Sequence, residues 1–306
     1  MSELLIFFTA LCVDKYYGEY PNRLHPVVWM GSLIAFIESK IRKPSNERIQ
    51  KLLGLACATT VPLSIGLFIH LILDQITWSL INFFVSAFFL KASFALNALG
   101  SAHLQVEKDL SKRTLRDDIL KSLCSRSSTN LSDKEIRIAS LSSLGENLND
   151  SVVAPLFYFL IFGIPGALAF RFINTADAML GYKDHRKNYG YGFARIDDFA
   201  GYIPARLTAL FIALVSQIRA NTSDFSYVLS VVKRDHKNTP SPNGGYPMST
   251  LAAALKIQLR KNESYILGDD IHSISSQTMT KGWQLSHSVA TSWFIFCALV
   301  ILLVRN

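Results

Sequence analysis

Cysteine is scarce in this chain: four residues in 306, at Cys12, Cys57, Cys124 and Cys297. They are scattered and mostly lie in apolar runs, with no metal or redox spacing, so they read as small apolar core residues. Charge is also scarce. Asp, Glu, Lys and Arg make up 18% of the chain while half of it is apolar, and the mean hydropathy is +0.25. That balance excludes an ordinary soluble domain, yet leaves more charge than a compact many-helix transporter carries. No segment is rich in strand signals and no internal repeat is present. The first apolar run is expected to be a retained segment and not a signal peptide. The first apolar run has acidic Glu3 where a basic segment is needed, and Asp14-Lys15-Tyr16-Tyr17 is not a small-residue cleavage site.

What is present is uncharged length. A hydrocarbon core of ~30 Å needs about 20 apolar residues to cross it. Residues 52–73, 75–90 (continuing past Lys91 to 99), 151–170 and 282–304 meet or approach that length. Three shorter runs, 4–13, 24–37 and 207–218, suit half-spanning, interfacial or buried helices. The expected fold is all-α: a polytopic integral membrane protein with about four full spans, shorter interfacial or re-entrant helices, and cytoplasmic helical loops. The whole chain, 1–306, reads as one membrane domain with polar loop regions at 101–150 and 219–288.

The net charge of +8 is not a nucleic-acid signature, because the cations flank the apolar runs. Lys40, Arg42, Lys43, Arg48 and Lys51 precede the first long run; Lys108, Lys112, Arg113, Arg116, Lys121 and Arg126 follow the second. The positive-inside rule places both loops in the cytoplasm, and a hairpin turning at Asp74-Gln75 fits. In the first polar region, residues 130–135 read as a helix start with acidic first-turn residues, opening a helix to about Asn149. In the second, an Ala/Leu-rich helix is expected over 250–259. If 151–170 crossed the membrane fully, the outer loop would carry Arg171, Lys183, Arg186, Lys187 and Arg195, against the charge bias. Pro155, Gly163, Pro165 and Gly166 offer places to break. The expectation is therefore a broken or re-entrant segment that keeps both flanking polar motifs near the cytoplasmic face.

Those motifs carry the chemistry. Glu146 and Asp150 stand at i and i+4 with Asn147 beside them; Asn174 and Asp177 repeat the arrangement at i and i+3. Acid-plus-amide clusters suit Mg²⁺, which takes a few carboxylate oxygens and completes its shell with water and phosphates. Lys183, Arg195 and Arg206 are the cations that could neutralise phosphate oxygens. The bland alternative is a set of caps and ion pairs at the membrane surface. Ser241-Pro242-Asn243-Gly244-Gly245-Tyr246-Pro247 precedes a helix and could meet an anion with backbone N–H groups, although Pro/Gly loops commonly just turn the chain. Arg234-Asp235-His236 could orient that loop or touch phosphate. His25, after Asp14 and Glu19, is either a structural histidine or a substrate contact, and His70 reads as buried or snorkelling.

Taken together, His25-Pro26-Val27 with Met30-Gly31, Glu146-Asn147 with Asp150, Pro155-Leu156-Phe157-Tyr158, Asn174-Thr175, Asp177, Met179 and Gly181-Tyr182-Lys183 resemble the CobD/CbiB family of cobalamin biosynthesis, the membrane-bound adenosylcobinamide-phosphate synthases. Arg195 with Asp197-Asp198, Tyr202-Ile203-Pro204-Ala205-Arg206 and the 241–247 loop continue the match over essentially the whole chain. The resemblance implies an ATP-dependent amide ligase that joins a corrin carboxylate of adenosylcobyric acid to aminopropanol or its phosphate. It implies catalytic roles for Glu146, Asn147, Asp150, Asp177 and Asp198, with Glu146, Asp150 and Asp177 also holding Mg²⁺. Substrate contacts would come from His25, Asn174, Lys183, Arg195, Arg206, Ser241, Asn243, Gly244 and Gly245. Implied with these are ATP as substrate, a corrinoid and an amino-alcohol phosphate as ligands, the lipid bilayer, other late corrinoid enzymes at the membrane, and an inner-membrane location with the site facing the cytoplasm. The chain departs from the common pattern at Ser127 and Ser142, where acidic residues are usual, and has Gly201 where the family commonly has Asn. The alternative function is a divergent, non-catalytic paralogue that binds a corrinoid or senses the envelope.

Overall fold

The computed structural model describes residues 3–43, 46–112, 131–182, 184–220, 224–261 and 264–304. The chain is a polytopic, all-α membrane protein. Its helices are α1 (Glu3–Tyr16), α2 (Pro26–Ile41), α3 (Glu47–Gln75), α4 (Ser79–Ser93), α5 (Leu96–Lys112), α6 (Asp133–Leu148), α7 (Ala154–Leu180), α8 (Tyr191–Ala200), α9 (Tyr202–Ala220), α10 (Phe225–Asp235), α11 (Gly245–Leu255) and α12 (Ser276–Val304). Four helical runs are long and apolar enough to cross a membrane, and a fifth is added if α8 and α9, bent by 47°, count as one broken span.

Two compact units emerge. One holds Met1–Ala95, Ala154–Gly201 and Cys297–Asn306; the other holds Leu96–Val153 and Tyr202–Phe296. In the first unit α3 packs against α7 and α8, α1 against α4, and α2 and α4 against α7. α3 starts where the side chain of Asn46 accepts from the backbone N–H groups of Arg48 and Ile49, relieving orphan donors. Its Leu63, Leu67 and Phe68 are more than half exposed, as a lipid-facing stripe should be.

The apolar run 151–170 does not cross straight. At Gly163 the backbone turns to φ 68°, ψ −161°, a conformation open essentially to glycine alone. Beyond it the chain doubles back. The rings of Tyr158 and Phe170 stack with centroids 5.2 Å apart, whereas twelve residues of straight helix would separate their backbones by ~18 Å. A Cβ on Gly166 would lie 2.8 Å from the Tyr158 carbonyl oxygen, eight residues earlier. Ala154, Phe170 and Ala200 share one small core. Residues 154–162 and 165–180 are thus the two arms of a helical hairpin, a break of the kind that Gly163 and Pro165 led one to expect.

The second unit has the larger core, built from Leu99, Val106, Leu141, Leu144, Ile212, Leu251, Val289 and their neighbours. α6 opens on a capping box, with the Ser132 hydroxyl accepting from the Glu135 N–H and the Glu135 carboxylate accepting from the Ser132 N–H.

Three expectations need correction. The run continuing from 75 to 99 is interrupted, because the backbone becomes extended at Phe94. The helix expected over 250–259 begins earlier, at Gly245, and ends at Leu255, where Lys256 takes a left-handed conformation with φ 54°. Leu259 lies instead in a strand: Leu259–Lys261 pairs antiparallel with Tyr265–Leu267. Strands of three residues are too short to show period-2 alternation.

Candidate functional site

In the second unit three elements converge. α6 leads directly into a π-helical turn, Asn149–Val153, and such turns recur at functional positions because they displace side chains from regular helical register. Glu146 is exposed at the end of α6, and Asp150, within the turn, is half-buried. Asp150 is held by its neighbour: the side-chain Nδ2 of Asn149 donates to Asp150 Oδ1 at 2.7 Å, and the side-chain Oδ1 of Asn149 accepts from the hydroxyl of Thr208 on α9 at 3.0 Å. Asn149 and Thr208 are buried, so this relay fixes the carboxylate from below. Asn147 is directed elsewhere. Its amide donates back to the backbone oxygen and hydroxyl of Ser143 on the preceding turn.

The glycine loop forms the opposite wall. Gly244 caps α11, and a Cβ there would stand 3.3 Å from Glu146 Oε1, so the carboxylate lies against the loop backbone. A Cβ on Gly245 would come 2.0 Å from the carbonyl oxygen of His236; only glycine permits that approach. The Ser241 hydroxyl accepts from the Asn243 N–H at 3.2 Å. Asn243, buried, accepts through Oδ1 from Arg206 Nη1 at 3.2 Å.

Arg206 projects from the first turns of α9. Its guanidinium carbon lies 3.4 Å from the ring centroid of Tyr202 and 4.1 Å from that of Tyr246. Nη1 donates to the Tyr202 carbonyl at 2.6 Å and to Asn243. Nε–H and the two Nη2 hydrogens have no acceptor among the described residues. They form the side of the fork that takes two oxygens of a carboxylate or phosphate at once.

The first unit holds the remaining candidates. Asn174 and Asp177 lie on the returning arm of α7, and a Cβ on Gly181 would meet Asp177 Oδ1 at 2.1 Å. Exposed Arg195 and half-buried Asp198 on α8 form an i, i+3 pair at 3.8 Å. Such a pair contributes little stability. Lys183 and Ser127 lie outside the described residues. His25 caps α2, its Nδ1 accepting the Val27 N–H at 3.2 Å. That leaves the proton on Nε2, which donates to Glu19 Oε2 at 2.7 Å. Glu19 Oε1 in turn receives Lys91 Nζ at 2.9 Å, and Lys91, fully buried, also pairs with Asp14 at 3.3 Å. Burial alone would raise the Glu19 carboxyl, but hydrogen bonds from His25 and Lys91 hold it below its ordinary value.

Among the described residues no group of three or more His, Cys, Asp or Glu side chains gathers in metal-binding geometry. Glu146 and Asp150 belong to one unit and Asp177 to the other. Ser142, one turn before Glu146, is buried in α6 and its hydroxyl has no hydrogen-bond partner among the described residues. Sequence reasoning missed Asn149, Thr208 and Lys91 as supports, and quoted Tyr202 and Tyr246 without giving them roles. The i, i+4 spacing of Tyr202 and Arg206 was the one available signal.

The profile of the CobD/Cbib protein family matches residues 7–288. The chain is 35% identical over 308 residues to a probable cobalamin biosynthesis protein CobD of Methanothermobacter thermautotrophicus, covering 99% of both chains. It is 35% identical over 313 residues to the cobalamin biosynthesis protein CobD of Dehalococcoides mccartyi, covering 100% of this chain and 99% of that one. A probable CobD of Thermococcus kodakarensis is 34% identical over 308 residues, covering 98% of this chain and 97% of that one. No solved structure matches the chain. With a family profile over nearly its whole length and full-length relatives above 30% identity, the chain belongs to the CobD/CbiB family.

Proposed function

We propose that this protein acts in cobalamin biosynthesis as an ATP-dependent amide ligase, joining adenosylcobyric acid to aminopropanol or its phosphate at the cytoplasmic face of the inner membrane. The observation that carries the reading is the open Nε/Nη2 edge of Arg206, in the same unit as the Glu146 carboxylate and the glycine loop.

A carboxylate does not condense with an amine unaided. A carboxylate oxygen attacks a phosphorus of ATP, giving an acyl phosphate and ADP, or an acyl adenylate and pyrophosphate. The amine then attacks the acyl carbon, the C–O bond to phosphorus breaks, and phosphate or AMP leaves as the amine loses a proton. Both steps concentrate negative charge on oxygens, where positioned cations and N–H donors lower the barrier most. Arg206 receives two of those oxygens, the Gly244–Gly245 backbone at the start of α11 offers N–H donors, and Asp150, fixed through Asn149 and Thr208, takes the amine's proton. Glu146 and Asp150 offer hard oxygen ligands at one helix end, which fits Mg²⁺, an ion that needs only one or two carboxylates beside nucleotide phosphates. When bound it neutralises phosphate charge. On the strength of the family pattern, Asp177 and Asp198 are assigned catalytic roles, Asp177 also as a Mg²⁺ ligand, and Asn174, Arg195, Lys183 and His25 are assigned to substrate contact.

The test is turnover by the purified protein in detergent with adenosylcobyric acid, Mg-ATP and either amine, followed by mass spectrometry of the corrinoid. Asp150→Asn is expected to lose at least about a hundredfold in rate, the lower range for a lost general base, with unchanged melting temperature. Wild-type rates in both Asp150→Asn and Asp177→Asn remove the site assignment. A non-catalytic corrinoid-binding role is the second reading, favoured by Ser142, which places a hydroxyl at a position where the family pattern carries an acid. It predicts corrinoid binding without ATP consumption.

A further inference from the structure

An arginine side chain carries about 2 kcal/mol of rotamer entropy, so a free guanidinium binds an anion only after being ordered. In this protein the ordering is built in. The rings of Tyr202, one turn earlier on α9, and of Tyr246, on α11, both lie against the guanidinium of Arg206, with its carbon 3.4 and 4.1 Å from their centroids. The arrangement continues behind Tyr246, where the His236 ring sits with its centroid 4.4 Å away. His236 is fixed in turn, its Nδ1–H donating to the Val232 carbonyl at 2.8 Å. With the rings against the guanidinium and Nη1 engaged by Tyr202 O and Asn243 Oδ1, the plane of the guanidinium is set and one edge remains for a ligand.

We propose that Tyr202 and Tyr246 are positioning residues, an aromatic clamp that presents the Nε/Nη2 edge of Arg206 to a two-oxygen anion. The shared chemistry is a carboxylate or phosphate, supplied by the corrinoid or by the nucleotide. The proposal rests on the ligase reading for the identity of these ligands, and the clamp itself is tested by binding alone. The contact uses the rings and not the phenol hydroxyls, so Phe substitutes for Tyr and Leu does not. Lysine does not substitute for Arg206, because an ammonium has neither a planar face to be clamped nor a fork.

Equilibrium binding of ATP, and separately of adenosylcobyric acid, is measured for the full-length protein in detergent. The variants are Tyr202→Phe, Tyr202→Leu, Tyr246→Phe, Tyr246→Leu and Arg206→Lys, each with its melting temperature. The Leu variants and Arg206→Lys are expected to weaken binding of one of the two anions about tenfold, the scale of a partly desolvated cation–π contact. The Phe variants stay within about twofold. A loss confined to ATP identifies phosphate as the anion; a loss confined to adenosylcobyric acid identifies the carboxylate. If a Leu variant does not fold, the same comparison is made with Met at that position. Equal affinities for Phe and Leu variants overturn the clamp, as does a wild-type protein that binds neither anion. A wild type that binds, shows the Phe/Leu contrast and still forms no amide leaves the clamp standing and removes the ligase reading instead.

Discussion

Lys91 shows what a single residue can conceal. In the sequence it is one charge interrupting an apolar run, but it is wholly buried between Asp14 and Glu19, and Glu19 passes the connection on to His25. Its partners are more than seventy positions away, so no local pattern exposes the pairing. Removing one member of a buried ionic group leaves the others uncompensated, at a typical cost of about 3–5 kcal/mol. Lys91→Met is accordingly expected to lower the unfolding midpoint in detergent strongly, and Lys91→Met combined with Glu19→Gln to recover part of the loss. An additive double variant would break the coupling argument. The same group sets a pH dependence. Because the folded-state carboxyl of Glu19 lies below its ordinary value, its contribution is complete above that ordinary value and is lost as pH falls through the lower, folded-state one. Glu19→Gln should therefore remove part of the acid-induced loss of stability, read as melting temperature against pH.

At the scale of elements, the hairpin in α7 was legible as a tendency and not as a geometry. Pro155, Gly163, Pro165 and Gly166 all advertised a break, and the charges around Arg171 and Arg186 argued for a return. Only Gly163 adopts the positive φ that turns the chain, while Pro165 sits inside the second arm. Gly163→Ala should cost about 1–3 kcal/mol, the usual strain of a non-glycine residue in such a region, and a stability unchanged within error would refute the hairpin turn as described. The start of α6 was equally visible, as a helix start with acidic first-turn residues over 130–135; the reciprocal Ser132–Glu135 box is what the structure adds. The Arg206 surroundings were not. Tyr246 is forty positions from Arg206, and the π turn that displaces Asp150 is a departure from the helical register on which face-sharing arguments depend.

For the molecule as a whole, charge-free length revealed the membrane class, because a ~30 Å apolar layer demands it irrespective of packing. The division into two compact units was not legible, since three of the four crossings between them, at 95/96, 153/154 and 296/297, lie inside runs that read as continuous. The cation clusters before α3 and at the end of α5 predict one common side for residues 40–51 and 108–112, with 74–78 on the other. Single cysteines at Lys43, Lys108 and Gln75, introduced into a variant lacking the four natural ones, should label from the cytoplasm, the cytoplasm and the outside respectively. Labelling of Gln75→Cys from the cytoplasm would overturn the topology.

The central claim is that ATP activates a corrin carboxylate for amide formation, and oxygen tracing tests it most directly. Adenosylcobyric acid carrying ¹⁸O in the reacting carboxylate is incubated with the protein, Mg-ATP and the amine, and the products are weighed by mass spectrometry. The account predicts one ¹⁸O in phosphate or AMP for each amide formed, and amide formed at least about a hundredfold more slowly with Asp150→Asn. Amide formed without label transfer, or ATP consumed with the label still wholly in the corrinoid, would contradict it.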